Sequence, residues 1–143
     1  MAGSCCTSND NTMILACSGA SNVGQLSNQA AVELTQEGFG KMFCLAGIGG
    51  LLSGFVYSLK NAPLMVAIDG CQMGCAQAIL KNARVPVNRY LVITDEGIEK
   101  NKHLNLERAD IDRVKAAVKR VVSQCSPVDE AIPFGACGCK PCR

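Results

Sequence analysis

A chain of 143 residues with 48% hydrophobic and 18% charged residues can bury one core of its own, which excludes a disordered protein. Its net charge of +2, aromatic content of 4% and lack of Trp supply neither a basic surface nor stacking rings, so nucleic acid and anionic membrane are excluded as partners. Apolar runs stay far below the ~18 residues of a membrane span. The start MAGSCCTSNDN has no basic-then-apolar signal, so the expected compartment is the cytoplasm.

In chain order, NTMILAC (11–17) reads as a short buried strand. A small-residue loop, SGASNV, leads into a helix from about Ser21 to Glu37, marked by Leu26, Ala30, Ala31 and Leu34 at helical spacing, with Gly38 as its C-cap. KMFCLA (41–46) reads as the second strand, and GIGGLLSG as a glycine-rich turn into a short helix near 51–60. A third strand, APLMVAI (62–68), is entered through a proline. Helix is expected from Gln72 to Lys81, and the fourth strand is VNRYLVIT (87–94).

A polar loop, TDEGIEKNKHLN, precedes a last helix from Ala109 to Cys125, whose apolar face carries Ile111, Val114, Val118, Val121 and Val122. Asp110 or Asn105 is the expected cap. The pattern predicts an α/β fold: a three-layer Rossmann- or flavodoxin-like parallel sheet of about four strands with helices on both faces. A single domain is expected over 1–143, with its core at about 11–125 and a cysteine-rich tail at 126–143.

Ten cysteines are the compositional outlier, and His103, in a polar stretch, is the lone histidine and reads as solvated. With no export signal and an adequate core, clustered thiols point to metal or redox chemistry rather than to disulfides. In a parallel sheet all strand C-termini open onto one edge, where ligand crevices form. Cys17 ends the first strand, Cys44 lies near the end of the second, and Cys71 and Cys75 follow the third, so the topology gathers all four at that edge. At i and i+4, Cys71 and Cys75 share a helix face, with a spacing found in zinc sites. Thiolate is the species that binds metal or attacks, and helix N-termini favour it. Zinc fits such donors, and so do an iron–sulfur cluster or another soft metal such as Cu(I).

Other readings weigh against particular residues. Cys125 sits on the apolar face of the last helix and reads as core filler, and Cys44 could be the same inside an apolar strand. GIGGLLSG lacks the third glycine of a dinucleotide fingerprint, since Leu52 stands there. The CSGASNVGQLS loop is laid out like the phosphate cradle of low-molecular-weight phosphatases and arsenate reductases. Those place an arginine six positions after the cysteine; here Val23 stands there and no Arg precedes Arg84, which argues against that chemistry.

Four segments in order, ACSGASNVGQLSNQAAVEL (16–34), CLAGIGG (44–50), AIDGCQMGCA (67–76) and ITDEGIEKN (93–101), resemble the DGC-domain family over about residues 12–125. The family takes its name from Asp-Gly-Cys, here 69–71. The resemblance implies a zinc-binding domain with Cys17, Cys44, Cys71 and Cys75 as chelators, and it supplies no reaction. Asp69 is expected to orient the motif loop from behind the ligands. Cys137, Cys139 and Cys142 of the CGCKPC tail lie outside the matching motifs and are candidate additional ligands. The expected function is metal binding, with sensing or delivery as the role. The alternative is thiol redox or persulfide transfer through the same cysteines and the tail.

Overall fold

The computed structural model describes residues 11–124; Cys5, Cys6, Cys125 and the tail cysteines lie outside the described residues. Four strands, β1 (Thr12–Ala16), β2 (Lys41–Met42), β3 (Leu64–Asp69) and β4 (Arg89–Val92), form one sheet in the order β2-β1-β3-β4. Every pairing is parallel. Around them lie α1 (Asn22–Gln36), α2 (Leu45–Gly49), α3 (Ser53–Lys60), α4 (Cys75–Asn82) and α5 (Arg108–Ser123). The three-layer α/β architecture expected from strand–helix alternation is present.

Side-chain alternation divides the core. On one face Ile14, Ala16, Val66 and Ile68 pack with Val23, Leu26 and Ala30 of α1 and with Ile111, Val114 and Val118 of α5. On the other, Leu15, Met65 and Ala67 meet Ile48 of α2, Leu59 of α3 and Leu80 of α4. Strands buried on both faces need continuous apolar sequence, which is why TMILA and LMVAI show no polar alternation.

Helix α1 begins at Ser21, whose side chain accepts a hydrogen bond from the Gly24 N–H at 3.2 Å. It stops at Gly38 (φ +74°), where the Phe39 N–H returns to the Leu34 carbonyl. Three expectations are corrected here. The helix expected from Gln72 begins only at Cys75, so Cys71 lies in the turn before it and the two cysteines do not share a helix face. KMFCLA is strand only at Lys41–Met42, and Cys44 is instead the N-cap of α2. The last helix is preceded by Glu107 with no side-chain cap, so neither Asn105 nor Asp110 caps it, and Asp110 lies within its first turn.

The strand order reverses direction between β1 and β3: the chain moves from β1 to β2 on one side, then to β3 on the other. That switch point opens a crevice outside the strand C-termini. Cys17 N–H extends the β1–β3 ladder to the Ile68 carbonyl, so the two strands end together.

An ion-pair network ties α1 to α5. Glu33 accepts from Arg108 and Lys115, Glu37 from Lys115 and Lys119, and Asp112 from Arg108. These cations hold all three carboxyls below their usual range, with hydrogen bonds from Arg108 dominant at Glu33 and Asp112 and from Lys115 at Glu37. A carboxyl whose folded value is depressed stabilises the fold above its unfolded value, and that contribution fades as pH falls through the folded one. Stability should therefore drop below the ordinary glutamate value of 4.5. Urea midpoints measured from neutral to acid pH should fall less steeply for Glu33→Gln than for the parent chain; equal slopes would remove the network from acid unfolding.

Candidate metal and thiol site

At the switch point, a cavity of about 240 Å³ is lined by Cys17, Cys71, Met73, Cys75, Lys100, the 18–21 loop and the first turn of α1 at Val23 and Gly24. Each cysteine there is set by a separate local device.

Cys17 is buried at the end of β1. Its Sγ accepts the Gly70 N–H at 3.1 Å and lies 3.3 Å from Ser27 Oγ. Ser27 in turn reaches the carbonyls of Cys17 and Gly24 at 2.6 and 2.7 Å. Burial pushes the Cys17 thiol up, against a partial opposing pull from Ser27 and the Gly70 N–H.

Gly70 is where β3 meets α1. A Cβ there would stand 2.8 Å from both the carbonyl carbon and oxygen of Val23. The residue has to be glycine for the strand end to touch the first helical turn. Its carbonyl accepts from Thr94, so it is held on two sides.

Cys71 follows directly, half-buried, and opens a turn closed by the Gly74 N–H on the Cys71 carbonyl at 3.1 Å. The Met73 backbone N–H and the Lys100 ammonium, whose Nζ is 3.2 Å from Sγ, hold this thiol below its ordinary value. Lys100 is delivered by Asn22, which donates to the Glu99 carbonyl and accepts from the Asn101 N–H at 2.8 and 2.7 Å.

Cys75 is the exposed first residue of α4. The helix is capped from a distance. Buried Asp69 accepts from Ala76 N–H (2.8 Å), Gln77 N–H (3.0 Å) and Tyr90 OH (3.0 Å). Burial first, then the Asp69 charge, pushes the Tyr90 phenol up and keeps it a donor. Asp69 therefore holds the first turn of α4, which carries Cys75, through a helix cap.

Of the four cysteines expected at this edge, the structure brings Cys17, Cys71 and Cys75 to one cavity. Cys44 is not among its lining residues: exposed at the start of α2, its Sγ accepts the Gly47 N–H at 3.3 Å. Among the described residues, no three His, Cys, Asp or Glu side chains already stand as a cluster able to hold a metal ion. The donor chemistry at the cavity nonetheless fits a soft or borderline ion. Three cysteines line the cavity, and the carboxylate at the end of β3, Asp69, is occupied by α4 and Tyr90. His103 lines a separate polar cavity with Asn22, Glu107 and Asp110.

Sequence reasoning missed Ser27, Tyr90, Lys100 and Asn22. Ser27 alone left a trace, as a polar residue on the apolar stripe of α1, a position that demands a buried partner. The others act across distances of 21 to 79 residues, which no local spacing reveals.

The DGC-domain profile matches residues 13–118. The chain is similar to the anaerobic and virulence modulator AnvM of Pseudomonas aeruginosa, 30% identical over 111 residues that cover 78% of this chain and 85% of AnvM. No solved structure matches it. No helix among the described residues is long and apolar enough to cross a membrane.

Replacing Gly70 by Ala should displace β3 from α1 and destabilise the fold by about 1–3 kcal/mol, the usual cost of forcing atoms into a packed site. Urea unfolding monitored by circular dichroism measures it. A change within about 0.5 kcal/mol, typical of an unconstrained surface position, would contradict the contact.

Proposed function

The chain belongs to the DGC-domain family, and from that premise we propose that it binds a metal ion, zinc foremost, at the cavity between the ends of β1 and β3. Cys17, Cys71 and Cys75 are the ligands. The observation carrying this reading is that three cysteines from two separate stretches of chain line one crevice at a topological switch point. The ion is cargo or signal rather than a fold-maker, since the core closes on both faces of the sheet without it.

The chain's own residues prepare the ligands in different ways. Ser27 and Gly70 hold the Cys17 sulfur at the cavity. Lys100 and the Met73 N–H stabilise negative charge on Cys71, and Asp69 with Tyr90 holds the helix start that presents Cys75. A bound ion would supply a cross-link between the end of β1 and the 70–75 loop. Three protein sulfurs leave one position of a tetrahedral ion open, the arrangement of an exchangeable site rather than a closed structural one. Cys44 stands outside the proposed set, and the tail cysteines Cys137, Cys139 and Cys142 could supply a further sulfur from outside the described residues. The name of AnvM describes a modulator; a domain that reports metal occupancy through its loop suits such a role better than one that turns over a substrate.

A second reading, thiol redox or persulfide transfer, is favoured by one observation: Cys71 alone of the three has a cationic side chain against its sulfur. Alkylation separates the two. Protection of Cys71 and Cys75 that a chelator abolishes supports metal, whereas protection lost only on reduction supports a disulfide.

After incubation with zinc and desalting, the full chain should retain about one equivalent of metal. Cys71→Ser and Cys75→Ser should each weaken binding about tenfold or more, and Cys44→Ser should not. Elemental analysis and chelator competition measure both. Retention below about a tenth of an equivalent, or a Cys44→Ser loss equal to the others, would overturn the site as drawn.

A further inference from the structure

We propose that Met73 is a fourth sulfur donor at this cavity and that the ion it selects is a soft monovalent one, Cu(I). The inference rests on the metal-binding reading and deepens it. Met73 is 76% exposed, so burial does not account for a large apolar side chain at that position. The other strongly exposed apolar residues, Met42, Leu51, Leu52, Phe55, Tyr57 and Leu104, do not line the cysteine cavity; Met73 does.

Its placement follows from the turn. The chain reads Cys71-Gln-Met73-Gly-Cys75, and the Gly74 N–H bond to the Cys71 carbonyl folds these residues back on themselves. Gly74, at φ +62°, allows the chain to turn from that loop into α4. Residues 71, 73 and 75 thereby all line one cavity, together with Cys17.

Donor chemistry then discriminates between ions. Zinc sites are built from thiolate, imidazole and carboxylate. A thioether is neutral and soft, and it joins thiolates in sites that select Cu(I). The residues that line the cavity carry three thiols and a thioether, but no imidazole and no carboxylate. Charge points the same way. Two or three thiolates on a monovalent ion leave more negative charge than they do on a divalent one, and the Lys100 ammonium, 3.2 Å from Cys71 Sγ, is placed to offset it.

The test uses the full chain, reduced and anaerobic, with bicinchoninate as the competitor for Cu(I) and a chromophoric chelator as the competitor for zinc. Met73→Leu keeps the side chain's size and removes its sulfur. The variant should bind Cu(I) about tenfold more weakly, with zinc affinity unchanged. In the parent protein, the Met73 methyl resonance, assigned by its loss in the variant, should shift on addition of Cu(I) but not of zinc. Unchanged Cu(I) affinity in Met73→Leu, equal losses for both metals, or a stationary methyl resonance overturns the proposal. A parent chain that takes zinc but not Cu(I) overturns it while leaving the zinc site standing. One that takes neither removes both.

Discussion

The site depends on a single close contact, that of Gly70 with the first turn of α1. The backbone at the end of β3 lies so near Val23 that no side chain fits between them. The Gly70 N–H then points at Cys17 Sγ, 3.1 Å away on the neighbouring strand. One residue without a Cβ thus joins three things: the end of β1, the end of β3 and the helix that connects β1 to β2. Parallel pairing alone would bring the strand ends level. It is this contact that brings the buried thiol and the DGC loop to a common crevice.

From that contact outward, the three thiols acquire different chemistry from their surroundings. Cys17 is enclosed, and loss of solvent pushes its thiol up. Cys71, a residue beyond the glycine, sits against a backbone N–H and an ammonium group, which pull it down. Cys75 stands at the exposed start of α4, where a buried carboxylate rather than a side chain of the loop satisfies the first helical N–H groups. The Asp, Gly and first Cys of the motif therefore do separate jobs. Asp69 anchors the helix, Gly70 permits the close approach, and Cys71 presents the sulfur. A domain arranged this way has β1 with α1 on one side of the crevice and the 70–75 loop on the other.

Much of the fold was legible because strands buried on both faces leave continuous apolar runs, and long helices leave 3.6-residue stripes. TMILA, LMVAI and the 108–123 helix are such cases. Cys44 shows the limit. After Lys41, MFCLA is apolar throughout, so periodicity could not distinguish strand from helix start, and the three glycines of LAGIGG argue against a helix on propensity. Tertiary packing decides otherwise: a Cβ on Gly47 would meet the Phe55 ring at 2.8 Å, and Phe43 packs on Phe55 with centroids 5.6 Å apart and the rings tilted by 58°. That packing ends the strand early and turns Cys44 into a helix cap. That Cys17, Cys71 and Cys75 come to one sheet edge was legible from strand order. Their partners Ser27, Asn22, Tyr90 and Lys100 were not, because each acts through contacts remote in sequence.

The central claim is that the crevice between β1 and β3 gathers three cysteines around one ion. The most direct measurement is an anomalous-difference map of crystals of the zinc-loaded full chain, collected at the zinc absorption edge. The account predicts a peak within the cavity, bonded at about 2.3 Å to the sulfurs of Cys17, Cys71 and Cys75. A peak at Cys44, or a loaded crystal with no peak between the ends of β1 and β3, would contradict it.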